Sequence, residues 1–414
     1  MYQSKVYHYY AWQRSLLQHV SLYGTMEQQQ LCKEHRNAAM PRVLILHASV
    51  GSGHRSAALA LQEAFRRKPD TEARVEDTLD YATPLFREAY RRSYLDLTDR
   101  APMLWQLFYQ NTDISDPEAI ELANRLRVLV ERLGAIQLRQ LIRDYQPAAV
   151  VCTHFLPVEL LLRRKEEGRL PQPVYCVVTD YVAHTFWLTS GLDGYFVATD
   201  VTRDLMAERG VERSHIYVTG IPVNPQIAEP KDCAAVRAAH GYATNEPLIT
   251  LFGGGIPIAR VRRMVMELLE SDIRGTLVVA AGRNEGLAQA IAKLDSGPHL
   301  RLQVLEHISY VDDLIAASDL VITKPGGLIV SEVLARGTPM LLIDPIPGQE
   351  EWNADYVATS GAGVQLRMPE SVARAAQNLL QHPSRLQLLR ESAQRTGRPS
   401  AALDIAERVL RALH

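Results

Sequence analysis

The chain has 414 residues, 47% of them hydrophobic and 22% charged, proportions that exclude disordered and collagen-like architectures. Lys plus Arg total 45 against 47 Asp plus Glu, and a net charge of -2 supplies no field for a polyanion, so no nucleic-acid partner is expected. The four cysteines, Cys32, Cys152, Cys176 and Cys233, show neither a zinc spacing nor a disulfide framework, and no apolar run reaches the roughly 18 residues of a membrane span.

Residues 1–40, rich in Tyr, Gln and His, are expected to be a poorly ordered extension or to reflect an upstream start, with Met26 or Met40 as the alternative starts, and no function is assigned to them. From Arg42 onward short aliphatic runs alternate with helical patterns: Val43 to His47, Ala148 to Cys152, Val174 to Val178, Tyr195 to Ala198 and Ile216 to Val218. That alternation predicts an α/β fold with a mostly parallel sheet. A proline-bearing stretch from Ile221 to Pro230 reads as a linker. A second series follows, with runs at Leu248 to Phe252, Thr276 to Ala280, Leu302 to Leu305, Leu320 to Ile322 and Met340 to Ile343. The expected organisation is one doubly wound domain over 41–225, a second over 226–399, and a terminal helix over 400–414 returning to the first.

Three glycine-bearing turns follow predicted strands. In the first, Gly51-Ser-Gly53-His54 leads into a helix, and exposed N–H groups at such a turn favour an anion. As a dinucleotide fingerprint this turn is defective, because Ser56 stands where the third Gly belongs; Asp77 would have to serve as the ribose acid of a nicotinamide-dependent oxidoreductase, the runner-up reading. The second turn, Gly253-Gly254-Gly255, precedes a helix carrying Arg260, and reads as a phosphate contact. The third runs from Lys324-Pro325 through Gly326-Gly327 into a helix with Glu332 between one and two turns in. Diphosphate at that helix mouth with a ribose diol on Glu332 describes a nucleotide site. Gln349, Glu350 and Asn353 then offer amide and carboxylate groups suited to sugar hydroxyls.

These segments together, with Thr179-Asp180-Tyr-Val-Ala-His184-Thr-Phe-Trp187, resemble the monogalactosyldiacylglycerol synthase and processive diacylglycerol glucosyltransferase family over about residues 41–400. The resemblance implies a GT-B architecture, a membrane-facing N-terminal acceptor domain and a C-terminal nucleotide-sugar domain. It also implies inverting transfer of a hexose from a UDP-sugar to diacylglycerol or a glycosyl-diacylglycerol. By position Glu332 holds the ribose, the main chain near Ile308 the uracil, and Gln349 and Glu350 the hexose; Gly253 to Gly255 and Gly326 to Gly327 face the diphosphate. His54 matches the histidine assigned to act at the acceptor.

Inverting transfer needs a base and something to hold charge on the leaving diphosphate. No D-x-D sequence occurs, so no metal or other cofactor is expected, and helix N-termini with Arg260 and Lys324 are the candidates for that charge. His54 reads either as the base or as a helix cap or phosphate contact. Asp180 and His184 are candidates to orient the base, bind acceptor, or make structural hydrogen bonds. Tyr90, Arg91, Arg92, Trp105 and Phe108 mix aromatics with cations, which suits contact with an anionic membrane surface and equally an amphipathic helix packed on the core. The expected location is the cytoplasmic face of a membrane. A polyprenyl lipid or soluble acceptor, and a nucleotide-sugar sensor without turnover, remain open.

Overall fold

The run Arg42–His47 forms β1, and every residue in it after Arg42 is buried. In the computed structural model, which describes residues 40–95, 137–189 and 191–413, β1 lies inside a six-stranded parallel sheet. The other strands are β2 (Glu72–Asp77), β3 (Ala149–Cys152), β4 (Val174–Val177), β5 (Gly194–Val197) and β6 (Ile216–Val218), in the order β2-β1-β3-β4-β5-β6. A second six-stranded parallel sheet contains β7 (Leu248–Phe252), β8 (Gly275–Ala280), β9 (Leu300–Leu305), β10 (Leu320–Thr323), β11 (Met340–Leu342) and β12 (Gly363–Gln365), ordered β12-β11-β10-β7-β8-β9. The strand β12 was not expected: its three residues, Gly-Val-Gln, are too few to carry a periodic pattern.

Parallel strands joined by helical crossovers are buried on both faces, which is why they read as continuous apolar runs. Leu44 and Leu46 of β1 pack into one core with Trp187 and the buried face of residues 137–145, while Val43 and Ile45 pack into another with Leu61, Phe65 and Phe196. That second core is completed by Ala402, Ile405, Ala406 and Val409 of the helix Ala401–Arg411. The C-terminal end of the chain thereby closes one face of the first sheet.

Each sheet reverses its winding once, between β1 and β3 and between β7 and β10. Ligands of open α/β sheets bind outside the carboxyl ends of the strands at such reversals. All three glycine turns leave these strands: Gly51 to Gly53 follows β1, Gly253 to Gly255 follows β7, and Gly326 to Gly327 follows β10. The two sheets belong to one packed unit, Arg42–His414, and share an apolar junction in which Tyr181, Ala198 and Ile221 meet Val321, Val330 and Leu334. No helix among the described residues is long and apolar enough to cross a membrane.

Candidate active site at the domain junction

His54 is the second residue of the helix Gly53–Arg66, and its ring is buried at the carboxyl edge of the first sheet. Its Nδ1 lies 2.9 Å from the Thr153 carbonyl oxygen and 3.0 Å from Thr179 Oγ1. A carbonyl only accepts, so Nδ1 carries the proton and Nε2 is left as an acceptor. Thr153 returns a bond from its hydroxyl to the His54 carbonyl at 2.9 Å, clamping helix to strand end. Burial lowers the His54 pKa to about 4, with the Thr153 bond opposing and His47 adding to the effect, so the ring is neutral near pH 7. His154 meets it edge-on at 4.5 Å between centroids and is itself spoken for, its Nδ1 accepting from the Leu156 amide at 2.9 Å.

The glycines at this junction answer to different constraints. Gly51 has φ +98°, a conformation that side-chain-bearing residues rarely adopt. At Gly327 the constraint is space, because a Cβ there would lie 2.1 Å from the Thr179 carbonyl oxygen. Its glycine is therefore required by the close approach of the two domains, a constraint the sequence alone did not show. Gly53 faces Leu328 of the same opposing helix. His54 is thus one residue, Thr179, away from the N-terminus of the helix Gly327–Ala335.

The residues that follow β4 reach into the second domain. Asp180, buried, accepts from Gln349 Nε2 on Oδ2 at 2.7 Å and from Asn353 Nδ2 on Oδ1 at 3.2 Å. Desolvation raises its pKa to about 7, against the pull of those two amides. The Tyr181 amide donates to Asn353 Oδ1 at 2.9 Å, and the Tyr181 ring stacks on Tyr356 at 4.5 Å. Asn353 also donates to the Pro325 carbonyl at 3.1 Å. Expected to meet the donor, Asn353 is instead fully buried and its amide is saturated by protein partners, so it bridges the domains.

At the carboxyl edge of the second sheet, Lys324 Nζ is 3.3 Å from Glu350 Oε2 and lies over Gly255, 3.5 Å from where a Cβ would stand. Glu350 Oε2 also accepts from the Ile346 amide at 2.7 Å; burial raises this carboxyl while Lys324 opposes the shift. Arg260 pairs with Asp344 at 2.8 Å. Both candidate cations for the leaving group are therefore already ion-paired. Glu332 is partly exposed, and its pKa is raised to about 7 first by desolvation and then by Asp312; its carboxylate has no hydrogen-bond partner among the described residues. Ile308 packs on the same buried cluster as Phe252 and Leu305, the last residues of β7 and β9. Open space surrounds Gly254, whereas a Cβ at Gly253 would meet Leu287, and the carbon of Gly326 faces Glu350.

Other sequence candidates lie apart from this arrangement. His184 accepts from the Phe186 amide at 3.2 Å and caps the short helical turn Thr185–Trp187, a structural use of its Nδ1. Asp77, the would-be ribose acid of the oxidoreductase reading, accepts on Oδ1 from the Ser49 and Leu79 amides and ties down its own loop. Tyr90 stacks on Phe86 at 5.6 Å and packs half-buried on the first core, the arrangement expected of an amphipathic helix packed there. The side chains of Arg91 and Arg92, and all of Trp105 and Phe108, lie outside the described residues. Sequence reading missed Thr153, Thr179 and Asp344. The last, at φ +51° two residues beyond the end of β11, holds Arg260 with one oxygen; the other is buried with no partner among the described residues. Its only signal was a carboxylate at the carboxyl end of a strand, where such sheets bind ligands.

The family model for monogalactosyldiacylglycerol (MGDG) synthase matches residues 54–223, and that for the glycosyltransferase family 28 C-terminal domain matches residues 248–409. Between them they cover every strand except β1 and every glycine turn except Gly51 to Gly53. The chain belongs to the monogalactosyldiacylglycerol synthase and processive diacylglycerol glycosyltransferase family. This family member is a glycosyltransferase, and the oxidoreductase reading falls. A processive diacylglycerol beta-glucosyltransferase of Bacillus subtilis (strain 168) is 28% identical over 340 residues, 82% of this chain and 87% of that one. MurG of Acinetobacter baumannii shares the fold with a TM-score of 0.59 at 17% identity, over 90% of this chain and 99% of that one. A UDP-GlcNAc 2-epimerase from Neisseria meningitidis, solved bound to UDP-GlcNAc, gives 0.58 at 13% identity, over 89% and 100%. These likenesses identify the GT-B architecture of the glycosyltransferase, and an epimerase among them shows that the fold alone names no reaction.

Proposed function

We propose that this glycosyltransferase moves a hexose, with inversion, from a UDP-sugar to diacylglycerol or a glycosyl-diacylglycerol. The observation that carries the reading is His54: a neutral imidazole with its Nδ1 proton pinned by a carbonyl, one residue from the helix mouth of the opposite domain. In this reading the acceptor hydroxyl gives its proton to Nε2 as its oxygen bonds to the anomeric carbon. The bond from that carbon to the diphosphate oxygen breaks in line, and UDP leaves. An imidazole with a pKa of about 4 holds the proton weakly and returns it to solvent.

Glu332, without a hydrogen-bond partner among the described residues, takes the ribose diol, and the main chain near Ile308 takes the uracil. Charge on the diphosphate is met by the N–H groups of Gly253 to Gly255, by the N-terminus of Gly327–Ala335, and by Lys324 once it releases Glu350. Glu350 and Gln349 then face the hexose, and no metal takes part. The relatives named for diacylglycerol support the lipid acceptor, and a lipid acceptor places the enzyme at a membrane surface.

The deciding experiment incubates the protein with a panel of UDP-sugars and diacylglycerol in anionic vesicles, with EDTA present, and reads UDP release and lipid product by mass spectrometry. A hexosyl-diacylglycerol is the expected product. UDP release onto a polyprenyl or soluble acceptor alone would overturn the lipid assignment, and UDP binding without turnover would favour a sensor.

A further inference from the structure

The tripeptide Thr179-Asp180-Tyr181 belongs to the first domain, yet most of its partners lie in the second. Asp180 is 3% exposed, and each of its oxygens receives an amide from the helix Gln349–Thr359, which opens the segment assigned to the hexose. We propose that Asp180 is a positioning residue for the donor sugar: from the acceptor domain it orients the amide of Gln349, so that the hexose-facing wall of the donor pocket is complete only when the two domains are docked. The inference rests on the functional reading above and adds to it the group that sets Gln349.

The geometry accounts for each atom of the link. Gln349 spends one Nε2 hydrogen on Asp180 at 2.7 Å, which leaves its second N–H and its carbonyl for a hydroxyl pair. Asn353, one turn further along, spends both hydrogens and its oxygen on Asp180, Pro325 and Tyr181, and so fixes the helix end that carries Gln349. Thr179, immediately before Asp180, contacts both the His54 ring and the backbone at Gly327. One short segment therefore aligns the base and the sugar-binding amide together. An acid or base acting on substrate would present an oxygen toward the ligand, whereas Asp180 turns both of its oxygens to protein amides.

The test compares wild type, Asp180→Asn, Gln349→Ala and the double variant. It measures KM and kcat for the UDP-hexose, UDP affinity by calorimetry, and the melting temperature. Asp180→Asn places an amide where two donors converge. It is expected to raise the donor KM by about tenfold or more while UDP affinity stays within about twofold, a split that a merely structural lesion would not produce. In the Gln349→Ala background the same change is expected to add less than about twofold, because the link it breaks is already gone.

A wild-type KM in Asp180→Asn, a parallel loss of UDP and UDP-hexose affinity, or full additivity in the double variant overturns the proposal. Should Asp180→Asn fail to fold, Asp180→Glu keeps the carboxylate but displaces it by a methylene; a raised donor KM at intact UDP affinity supports the proposal, and a wild-type KM overturns it. A wild-type protein that binds no UDP overturns the functional reading and this inference with it, whereas normal wild-type transfer beside an unaffected Asp180→Asn overturns this inference alone.

Discussion

His54 illustrates how one residue acquires a chemical role from its surroundings. Histidine near neutral pH is usually a mixture of charge states and tautomers. Here the Thr153 carbonyl selects the tautomer, and burial empties the charged state down to about pH 4. His54→Ala is expected to cut kcat by about 10²–10⁴-fold, the usual range for a general base, while leaving UDP affinity by calorimetry unchanged. A pKa of about 4, below the 6.5 of a free imidazole, also means that the acid limb of the kcat/KM profile falls near pH 4 rather than 6.5, and that this limb disappears in the variant. Glu332 makes a separable prediction. Its carboxyl, with no hydrogen-bond partner among the described residues, should supply two bonds to a ribose diol, so Glu332→Ala is expected to weaken UDP binding by about tenfold to hundredfold. Unchanged UDP affinity would remove it from the site.

At the scale of elements, the contact between the end of β4 and the helix Gly327–Ala335 sets how closely the domains approach. A methyl group at Gly327 would collide with a backbone oxygen that has no rotamer to relax into, so the helix or the strand end must move. Gly327→Ala is expected to lower kcat by about 10²-fold through misplacement of donor and base, because displacements on the order of 1 Å carry that penalty. Transfer at the wild-type rate would show that the close approach is dispensable. The helix Ala401–Arg411 has a structural task, sealing the face of the first sheet with Ile405 and Val409 fully buried. Ile405→Ala should lower the unfolding free energy by about 2–5 kcal/mol in denaturant titrations, with UDP affinity retained at low denaturant.

Over the whole molecule, two topological reversals face one another because Thr179, Asp180 and Tyr181 dock against Gly327, Gln349, Asn353 and Tyr356. In the proposed transfer, docking of this kind would keep water from the space between acceptor and donor and so suppress donor hydrolysis. A lipid acceptor also requires a surface-seeking element, and the aromatic and cationic stretch around Trp105 and Phe108 is the sequence candidate. Replacing both by Ser is expected to reduce cosedimentation with anionic vesicles while sparing UDP affinity. Undiminished vesicle binding would return the stretch to an ordinary packing role.

The order of elements was legible from the chain alone because buried parallel strands are written as short apolar runs, and turns at their ends as glycines. The same local logic located Glu332 a fixed number of helical residues beyond Gly327, and His54 at the opening of its helix. Local pattern failed at β12, which is too short to show a period, and at Asp344, whose pairing with Arg260 leaves no mark in its neighbours. Nor did it reveal that Gly327 is forced by Thr179, that Asn353 is a bridge, or that Asp180 holds Gln349 across 169 positions of sequence. Those facts depend on which strand ends the topology brings together. A hydrogen bond or a steric limit between distant residues exists only once both sheets are wound and docked, so the sequence determined the elements and their loops, and the tertiary structure decided what each loop residue touches.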